Sequence, residues 1–285
     1  MVRFFTLLFI LALATVGCVN LDAIVKFSAA GKQAQERFPM LVADLQASCA
    51  RRVDYNQLEN RNTDQQSFSE GEQEECGKYA KYQPVLLAAG NTFFAYLNAL
   101  GALAANRHSN LPSGLAEVVD NSSKFNLEQK KAFKGLYQFV SDALTQGYRQ
   151  SRLAKAIKAR NNDVQIAVAA LNSILVSDYE VLLRDERQEM RSYYLTNIKE
   201  CADRNPLAVI LVEHQWREDR ETLARRQAGA EAFGKMLRKI ALIHDQLASN
   251  ATEIDSQAVL KSALQGAAQI AQLAGEFAAG YPSGR

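Results

Sequence analysis

Apolar residues recur at intervals of three and four along most of this chain, which is the periodicity of amphipathic α-helices. Asn126 suits a helix N-cap, and the apolar pattern continues after it through Phe133, Leu136 and Val140. Asn205-Pro206 marks the sharpest boundary, because Asn suits the cap position and Pro suits the first helical position. We therefore predict an all-α protein, built as an elongated helical bundle.

The same pattern places the helices and the connections between them. Helices are predicted over 21–49 with a kink or break at Pro39, from Cys76 to about 106, from 126 onward, over 164–202, over 206–248, and from about 250 or 255 to 279. Residues 160–163, Arg-Asn-Asn-Asp, are typical of a turn and N-cap. The short runs 164–168 and 207–212 also fit strands, but each begins a segment that keeps helical spacing for about thirty residues, which favours helix.

Folding the chain at Asn205 predicts a long antiparallel helical hairpin. Residues whose numbers add up to about 409 then lie side by side, along helices about 60 Å long. Apolar residues 164–176 face 233–245 and form a base, charged residues 178–191 face 217–229 and form a shaft, and a second apolar cluster closes the tip. The part predicted to protrude from the bundle spans about 178–231, within a single helical domain over 18–285.

The apolar cluster at the end of the hairpin is the candidate partner-binding site. Its members, called the tip residues below, are Tyr193, Tyr194, Leu195, Ile198, Val209, Ile210, Leu211 and Trp216. They either close the hairpin on itself or dock another protein, since apolar clusters far from a core often mark interaction sites. The shaft charges, Glu186 among them, are interpreted as a solvated face with pairs at i,i+4.

The first eighteen residues have the layout of a secretory signal peptide. One basic residue, Arg3, precedes the apolar run 4–16, which is too short to span a bilayer comfortably and ends at Gly17-Cys18. We therefore predict a signal peptide over 1–17. An ordinary cleavage after Ala14 or Gly17 would leave Cys18 as a plain thiol.

Residues 15–18, Thr-Val-Gly-Cys, resemble the lipobox of bacterial lipoproteins. In that class the cysteine is lipidated and becomes the new N-terminus, so the resemblance implies a membrane anchor at Cys18. In Gram-negative cells of that class, Asp after the cysteine retains the protein in the inner membrane. Val19 stands there in this chain, so the resemblance implies the periplasmic face of the outer membrane.

Three further cysteines lie in a chain whose signal directs it to an oxidising compartment. Cys49 and Cys76 bracket the very polar segment 50–75, which is predicted to be a loop closed by a disulfide between them. Cys201 is then left over, either as a buried free thiol or in another bridge.

Charge and motifs exclude several classes of function. The formal net charge is +2 without a long block of one sign, so the sequence carries no footprint for nucleic acid. The three histidines lack the spacing of a metal or triad site, and no cofactor or metal is expected. The segments 82–106 and 258–279 suit a bundle core or, alternatively, a membrane.

The preferred interpretation is a lipid-anchored structural or interaction component of the cell envelope with an unknown protein partner, such as an accessory of a transport, secretion or surface-assembly machine. A membrane-active, pore-forming-like helical protein is the second interpretation. A helical ligand-binding or enzymatic domain without a recognisable motif is the third.

Overall fold

The structure, a computed structural model, describes residues 21–59, 66–105, 119–145, 150–202, 205–254 and 256–282. The α-helices in these ranges are α1 (Asp22–Ala30), α2 (Lys32–Glu59), α3 (Gln66–Ala104), α4 (Leu127–Thr145), α5 (Gln150–Asn172), α6 (Tyr179–Ala202), α7 (Pro206–Ser249) and α8 (Gln257–Gly280). A π-helical turn, Ser173–Asp178, joins α5 to α6. The described residues contain no strand, and the predicted all-α bundle is confirmed.

The helix starts show why these boundaries fall where they do. At the start of α4, Asn126 Oδ1 accepts from the Gln129 backbone N–H at 2.9 Å, and Gln129 Oε1 accepts from the Asn126 N–H at 2.9 Å. This reciprocal pair is a capping box. At the start of α7, Asn205 Oδ1 accepts from the Ala208 N–H at 3.2 Å, and Pro206 follows the cap. Both predicted caps are therefore confirmed.

The helix is unbroken at two places where an interruption was predicted, a kink or break at Pro39 and a turn at 160–163. Pro39 lies inside α2, and the chain instead breaks at Gly31 between α1 and α2. A proline inside a helix costs about 3 kcal/mol, which burial of Phe38 and Leu41 on the same helix outweighs.

Helix α5 likewise runs straight through 160–163, where a turn was predicted. The side chains of Asn161 and Asp163 bond to other side chains, Asp245 and Arg160, and so do not compete with the helix backbone.

The segment 50–75, predicted to be a loop, is mostly helix. Helix α2 continues to Glu59 and α3 already begins at Gln66, while 60–65 lie outside the described residues. The polar residues of α2 have partners on α6: Arg51 donates to Glu186 at 2.6 Å, and Ser192 donates to Glu59 at 2.7 Å. Residues 50–59 therefore stay helical because their polar side chains bond to polar side chains of α6.

The predicted disulfide is confirmed. Cys49 on α2 and Cys76 on α3 are bonded, with their Cα atoms 5.5 Å apart. Cys201 is a free thiol and is half-buried rather than buried. The bridge therefore joins two long helices near the middle of the bundle, instead of closing a loop.

The hairpin has the predicted register. Gln165 Nε2 donates to the Ala241 carbonyl at 2.9 Å, Arg238 to Asn172 Oδ1 at 2.9 Å, and Tyr194 to Asp219 Oδ2 at 2.5 Å. In these contacts the two residue numbers add up to between 406 and 413, against the predicted sum of about 409. Helix α7, with 44 residues, is about 66 Å long.

The π-helical turn follows from the spacing of the buried residues. Leu171, Leu175, Tyr179 and Leu183 are all buried and recur every four residues. In a regular α-helix each step of four drifts by about 40° around the axis, so the stripe would turn away from the core. The wider π-helical turn at 173–178 offsets that drift and keeps α5 and α6 on one side of α7.

The bundle has two distinct ends. Helix α3 runs antiparallel to α2, since the Phe38 and Phe94 ring centroids lie 5.7 Å apart and Asn98 donates to Gln35 at 3.0 Å. Helix α1 continues along α3 in the same direction as α2, since a Cβ on Gly101, near the end of α3, would overlap Ser28 Oγ of α1. Leu21, at the start of α1, therefore lies towards the base, where α3 and α7 end. The tip lies at the other end, beside Asn205.

The part of the hairpin that protrudes from the bundle is shorter than predicted. Helix α2 covers α6 as far as Thr196, which donates to Glu59 at 3.2 Å. The end of α8 packs on α7 so closely that a Cβ on Gly280 would lie 2.7 Å from the Gly229 Cα atom. The shaft is therefore packed between α2 and α8. Among the described residues, only the last turns on either side of Asn205 extend beyond α2.

Removing the disulfide should lower the free energy of unfolding. The bridge joins cysteines 27 residues apart, so the chain-entropy model gives about 3 to 4 kcal/mol for its loss in the variant Cys49→Ala/Cys76→Ala. Urea unfolding followed by circular dichroism measures the change. The control Cys201→Ala, which loses no bridge, should change it by less than about 1 kcal/mol. Equal losses in the two variants would contradict the assigned role of the bridge.

A buried histidine at the base makes stability depend on pH. His244 is fully buried, accepts from the Tyr96 hydroxyl at Nε2 (2.7 Å) and donates from Nδ1 to Asn161 Oδ1 (3.0 Å). Burial lowers the pKa of His244 from 6.5 to about 4. The unfolded chain therefore binds a proton that the folded protein does not, and stability falls as the pH drops from about 6.5 towards about 4.

Replacing His244 should remove this dependence. Between pH 7 and pH 4.5 the protein should lose about 2 to 3 kcal/mol more of its free energy of unfolding than His244→Gln does. The matched variant His214→Gln, at a largely exposed histidine, should lose as much as the unmodified protein. Urea titrations at the two pH values give the numbers, and an undiminished loss in His244→Gln would show that other groups cause it.

Candidate functional site at the hairpin tip

Three of the eight tip residues close the hairpin internally. Tyr193 and Tyr194 on α6 pack on each other with centroids 5.0 Å apart, and Trp216 on α7 stacks on Tyr194 at 6.1 Å. Tyr55 of α2 completes this aromatic cluster, 5.7 Å from Tyr193 and 6.1 Å from Tyr194. This part of the predicted site is therefore a small core shared by three helices.

Asp219 organises the aromatic cluster. Its carboxylate accepts from the Tyr194 hydroxyl at 2.5 Å, from Tyr55 at 3.1 Å and from Gln215 Nε2 at 3.0 Å. Burial, together with Asp219, raises the pKa of Tyr194, so this phenol stays protonated and keeps donating. The Trp216 Nε1 atom is buried without a hydrogen-bond partner in the described structure. The hydrogen bonds to Asp219 fix the tip ends of α2, α6 and α7 relative to one another.

The remaining tip residues are more exposed. Leu195, Ile210 and Leu211 have exposed fractions of 44%, 62% and 72%, whereas Ile198 and Val209 are half-buried. Leu207, which was not among the predicted site residues, is 73% exposed. Its position three residues before Ile210 and four before Leu211 on a helix was the signal that could have identified it. The tip thus divides into an internal aromatic core and an exposed apolar face of Leu195, Leu207, Ile210 and Leu211, called the tip face below.

The shaft contains a buried ion cluster, which corrects the prediction for Glu186. This carboxylate, predicted to be solvated, is 3% exposed and accepts from Ser48 Oγ at 2.6 Å and from Arg51 Nε at 2.6 Å. Polar residues of α2 supply its partners, so the charge can be buried. Asp44, Ser48 and Arg51 recur every three to four residues along α2, beside the stripe that contains buried Leu41 and Leu45. This polar stripe next to core positions was the signal missed in the sequence.

The ion cluster continues across to α7 and α8. Asp44 accepts from Arg51 at 3.1 Å and from the Tyr179 hydroxyl, and Arg226 of α7 lies 3.6 Å from both Asp44 and Glu186. The Tyr281 hydroxyl, just past α8, donates to Tyr179 at 3.2 Å. Burial raises the pKa of Tyr179, so its hydroxyl stays protonated beside the carboxylates. Two carboxylates and two guanidinium groups neutralise one another, an arrangement that holds helices together.

The exposed histidine of α7, His214, pairs with one neighbouring carboxylate. His214 and Glu218 form a surface pair at 3.9 Å, with 65% and 60% of their side chains exposed. His108, Cys18 and the predicted signal peptide lie outside the described residues. In the parts of the chain that the structure describes, there is no group of three or more His, Cys, Asp or Glu side chains that could hold a metal ion.

Two helical stretches are long and apolar enough to cross a membrane by length and composition alone. They are Cys76–Ala104, with 78% of its apolar 18-residue segment buried in the bundle, and Leu153–Ala202, with 50% of its apolar 18-residue segment buried. A core helix of a bundle meets the same criteria, and the first stretch packs against α1, α2, α4 and α5.

Comparisons with known proteins do not suggest a function, so any proposal rests on the sequence and the geometry. No family model, no curated protein and no solved structure matches the chain.

Breaking the ion cluster at Glu186 should destabilise the protein strongly. The variant Glu186→Ala leaves Ser48 without its acceptor and leaves two guanidinium groups, Arg51 and Arg226, facing the single carboxylate of Asp44. We expect a loss of about 3 to 5 kcal/mol in the free energy of unfolding. The neighbouring Asp185→Ala, at a half-exposed carboxylate, should cost less than about 1 kcal/mol. Urea unfolding distinguishes them, and a small loss at Glu186 would mean that the cluster contributes little.

Proposed function

We propose that the protein is a lipoprotein of the cell envelope, anchored through Cys18, whose tip face docks a partner protein. In this proposal its role is non-enzymatic: a structural or interaction component, for instance an accessory of a transport, secretion or surface-assembly machine. In a Gram-negative cell, Val19 favours the periplasmic face of the outer membrane.

The observation that carries the proposal is the separation of the two ends of the bundle. Cys18 precedes Leu21 by three residues, so a lipid there would lie within about 11 Å of Leu21 even if the chain were fully extended. Leu21 lies towards the base, and α1 and α2 together span about 60 Å from it to Glu59. An anchor at Cys18 therefore leaves the tip face directed away from the membrane, with room for a partner.

The division of the tip supports docking over simple closure. Closure of the hairpin needs the buried Tyr194 and the half-buried Trp216, which already pack on each other and on α2. It does not need Leu207 and Leu211, which expose 73% and 72% of their area at the most distant turn. Burying apolar surface contributes about 25 cal/mol per Å², so a partner that covers these side chains would gain a favourable contact.

Lipidation is tested in cells. A bacterium that expresses the full chain should incorporate radiolabelled palmitate into it, and the protein should sediment with membranes. Cys18→Ser should abolish the label and release the protein, whereas Cys201→Ser, at the free thiol, should retain both. Palmitate label that persists in Cys18→Ser would remove the proposed anchor.

Docking is tested with a photocrosslinking amino acid at two equally exposed positions. Leu211, 72% exposed on the tip face, should give a discrete crosslinked band in cells, because a partner would cover it. Arg184 on the shaft, with 71% of its side chain exposed, serves as the control and should give none. The proposal predicts that Leu211→Glu and Ile210→Glu abolish the band obtained from a crosslinker at Leu207. A well-folded protein that gives no band from any tip position would contradict it.

A further inference from the structure

A groove between α7 and α8 combines positive charge with an apolar floor. It has a volume of about 430 Å³ and lies on the lower half of the bundle, away from the tip. Its walls carry three basic residues of α7, two amide residues of α8 and one leucine from each helix: Lys235, Arg238, Lys239, Gln269, Gln272, Leu242 and Leu273. We call it the α7–α8 groove.

The basic residues of the groove are only partly neutralised. Lys235 pairs with Glu231 at 2.7 Å, and the same carboxylate is close enough to attract Arg238, which donates one N–H to the neutral Asn172 at 2.9 Å. Lys239 has neither an ion pair nor a hydrogen bond within the described residues. Like charges three and four residues apart on a helix repel one another by a few tenths of a kcal/mol, so this cluster costs stability without a bound anion.

The donors in the groove suit a phosphate group. The Arg238 guanidinium keeps further N–H donors after its bond to Asn172, and Lys239 adds a mobile ammonium group beside it. Gln269, on the opposite wall, carries an amide that can donate to a third oxygen. Gln272 already donates to Glu276 at 2.9 Å, so this N–H is engaged within α8.

The apolar floor indicates that the ligand is more than an inorganic anion. Leu242 is 50% exposed on α7, one turn below Arg238 and Lys239, and half-buried Leu273 faces the groove from α8. A simple anion would leave both leucines uncovered. A phosphate with attached hydrocarbon would cover them while its head group meets the cations.

We infer that the α7–α8 groove binds a phosphate-bearing amphiphile, an anionic lipid, with its phosphate at Arg238 and Lys239 and its hydrocarbon along Leu242 and Leu273. The attraction is electrostatic at one end and hydrophobic at the other. Affinity should therefore fall as salt screens the exposed cations, and it should rise with the length of the hydrocarbon.

The test is titration calorimetry on the full chain carrying Cys18→Ser, with monomeric dihexanoyl phosphatidylglycerol as the probe and inorganic phosphate as the second ligand. The double variant Arg238→Gln/Lys239→Gln should weaken lipid binding at least tenfold. Lys155→Gln/Lys158→Gln removes two exposed charges from α5 and should leave the affinity within twofold. Leu242→Gln should weaken binding of the lipid while binding of inorganic phosphate stays the same.

Three results would overturn the inference. The first is an absence of lipid binding to a chain whose circular dichroism shows it folded. The second is an equal effect of the two double variants, which would show that total charge, rather than the groove, governs binding. The third is inorganic phosphate binding as tightly as the lipid, which would leave no role for the apolar floor.

Discussion

Glu186 places a negative charge in the interior of the shaft, and the arrangement of the surrounding helices depends on neutralising it. A buried carboxylate is tolerated only when it is paired and hydrogen-bonded. Its partners come from Ser48 and Arg51 on α2 and Arg226 on α7, so the three helices must meet at one height. If any one of these helices shifted along its axis by one turn, a charged side chain would lose its partner. The ion cluster therefore selects one register for the whole shaft.

The features that could be predicted from the sequence are those that a single periodic pattern determines. The order of apolar, charged and apolar stretches on either side of Asn205 gave the hairpin register to within a few residues, because only one alignment puts apolar residues beside apolar ones at both ends. The Cys49–Cys76 bridge was predicted from the polar composition between the two cysteines and from the predicted oxidising compartment. These predictions need no knowledge of the third helix that packs on the hairpin.

What could not be predicted depends on which side chains the polar residues meet in the folded protein, mostly across the contact between the hairpin and α2. Polar residues of α2 were interpreted as a loop because polarity alone does not show whether a side chain faces water or another charge. The same ambiguity concealed the burial of Glu186 and the helical state of 160–163, where Asn161 bonds to Asp245 of α7 and Asp163 bonds to Arg160 of its own helix. Within the predicted tip cluster, the division into the internal Tyr194–Trp216 core and the tip face could not be predicted, because it required knowing that Tyr55 packs against the cluster.

The internal aromatic core holds the helices that carry the tip face, which favours the proposed docking. A surface presented by a fixed scaffold loses less conformational entropy on binding than a flexible one, so more of its contact energy remains as affinity. The aromatic core around Asp219 and the ion cluster below it hold the ends of α6 and α7, and Leu207 and Leu211 project from the first two turns of α7 beyond that rigid support. The shaft therefore contributes to the proposed docking by fixing the tip face, even though no shaft residue needs to contact the partner.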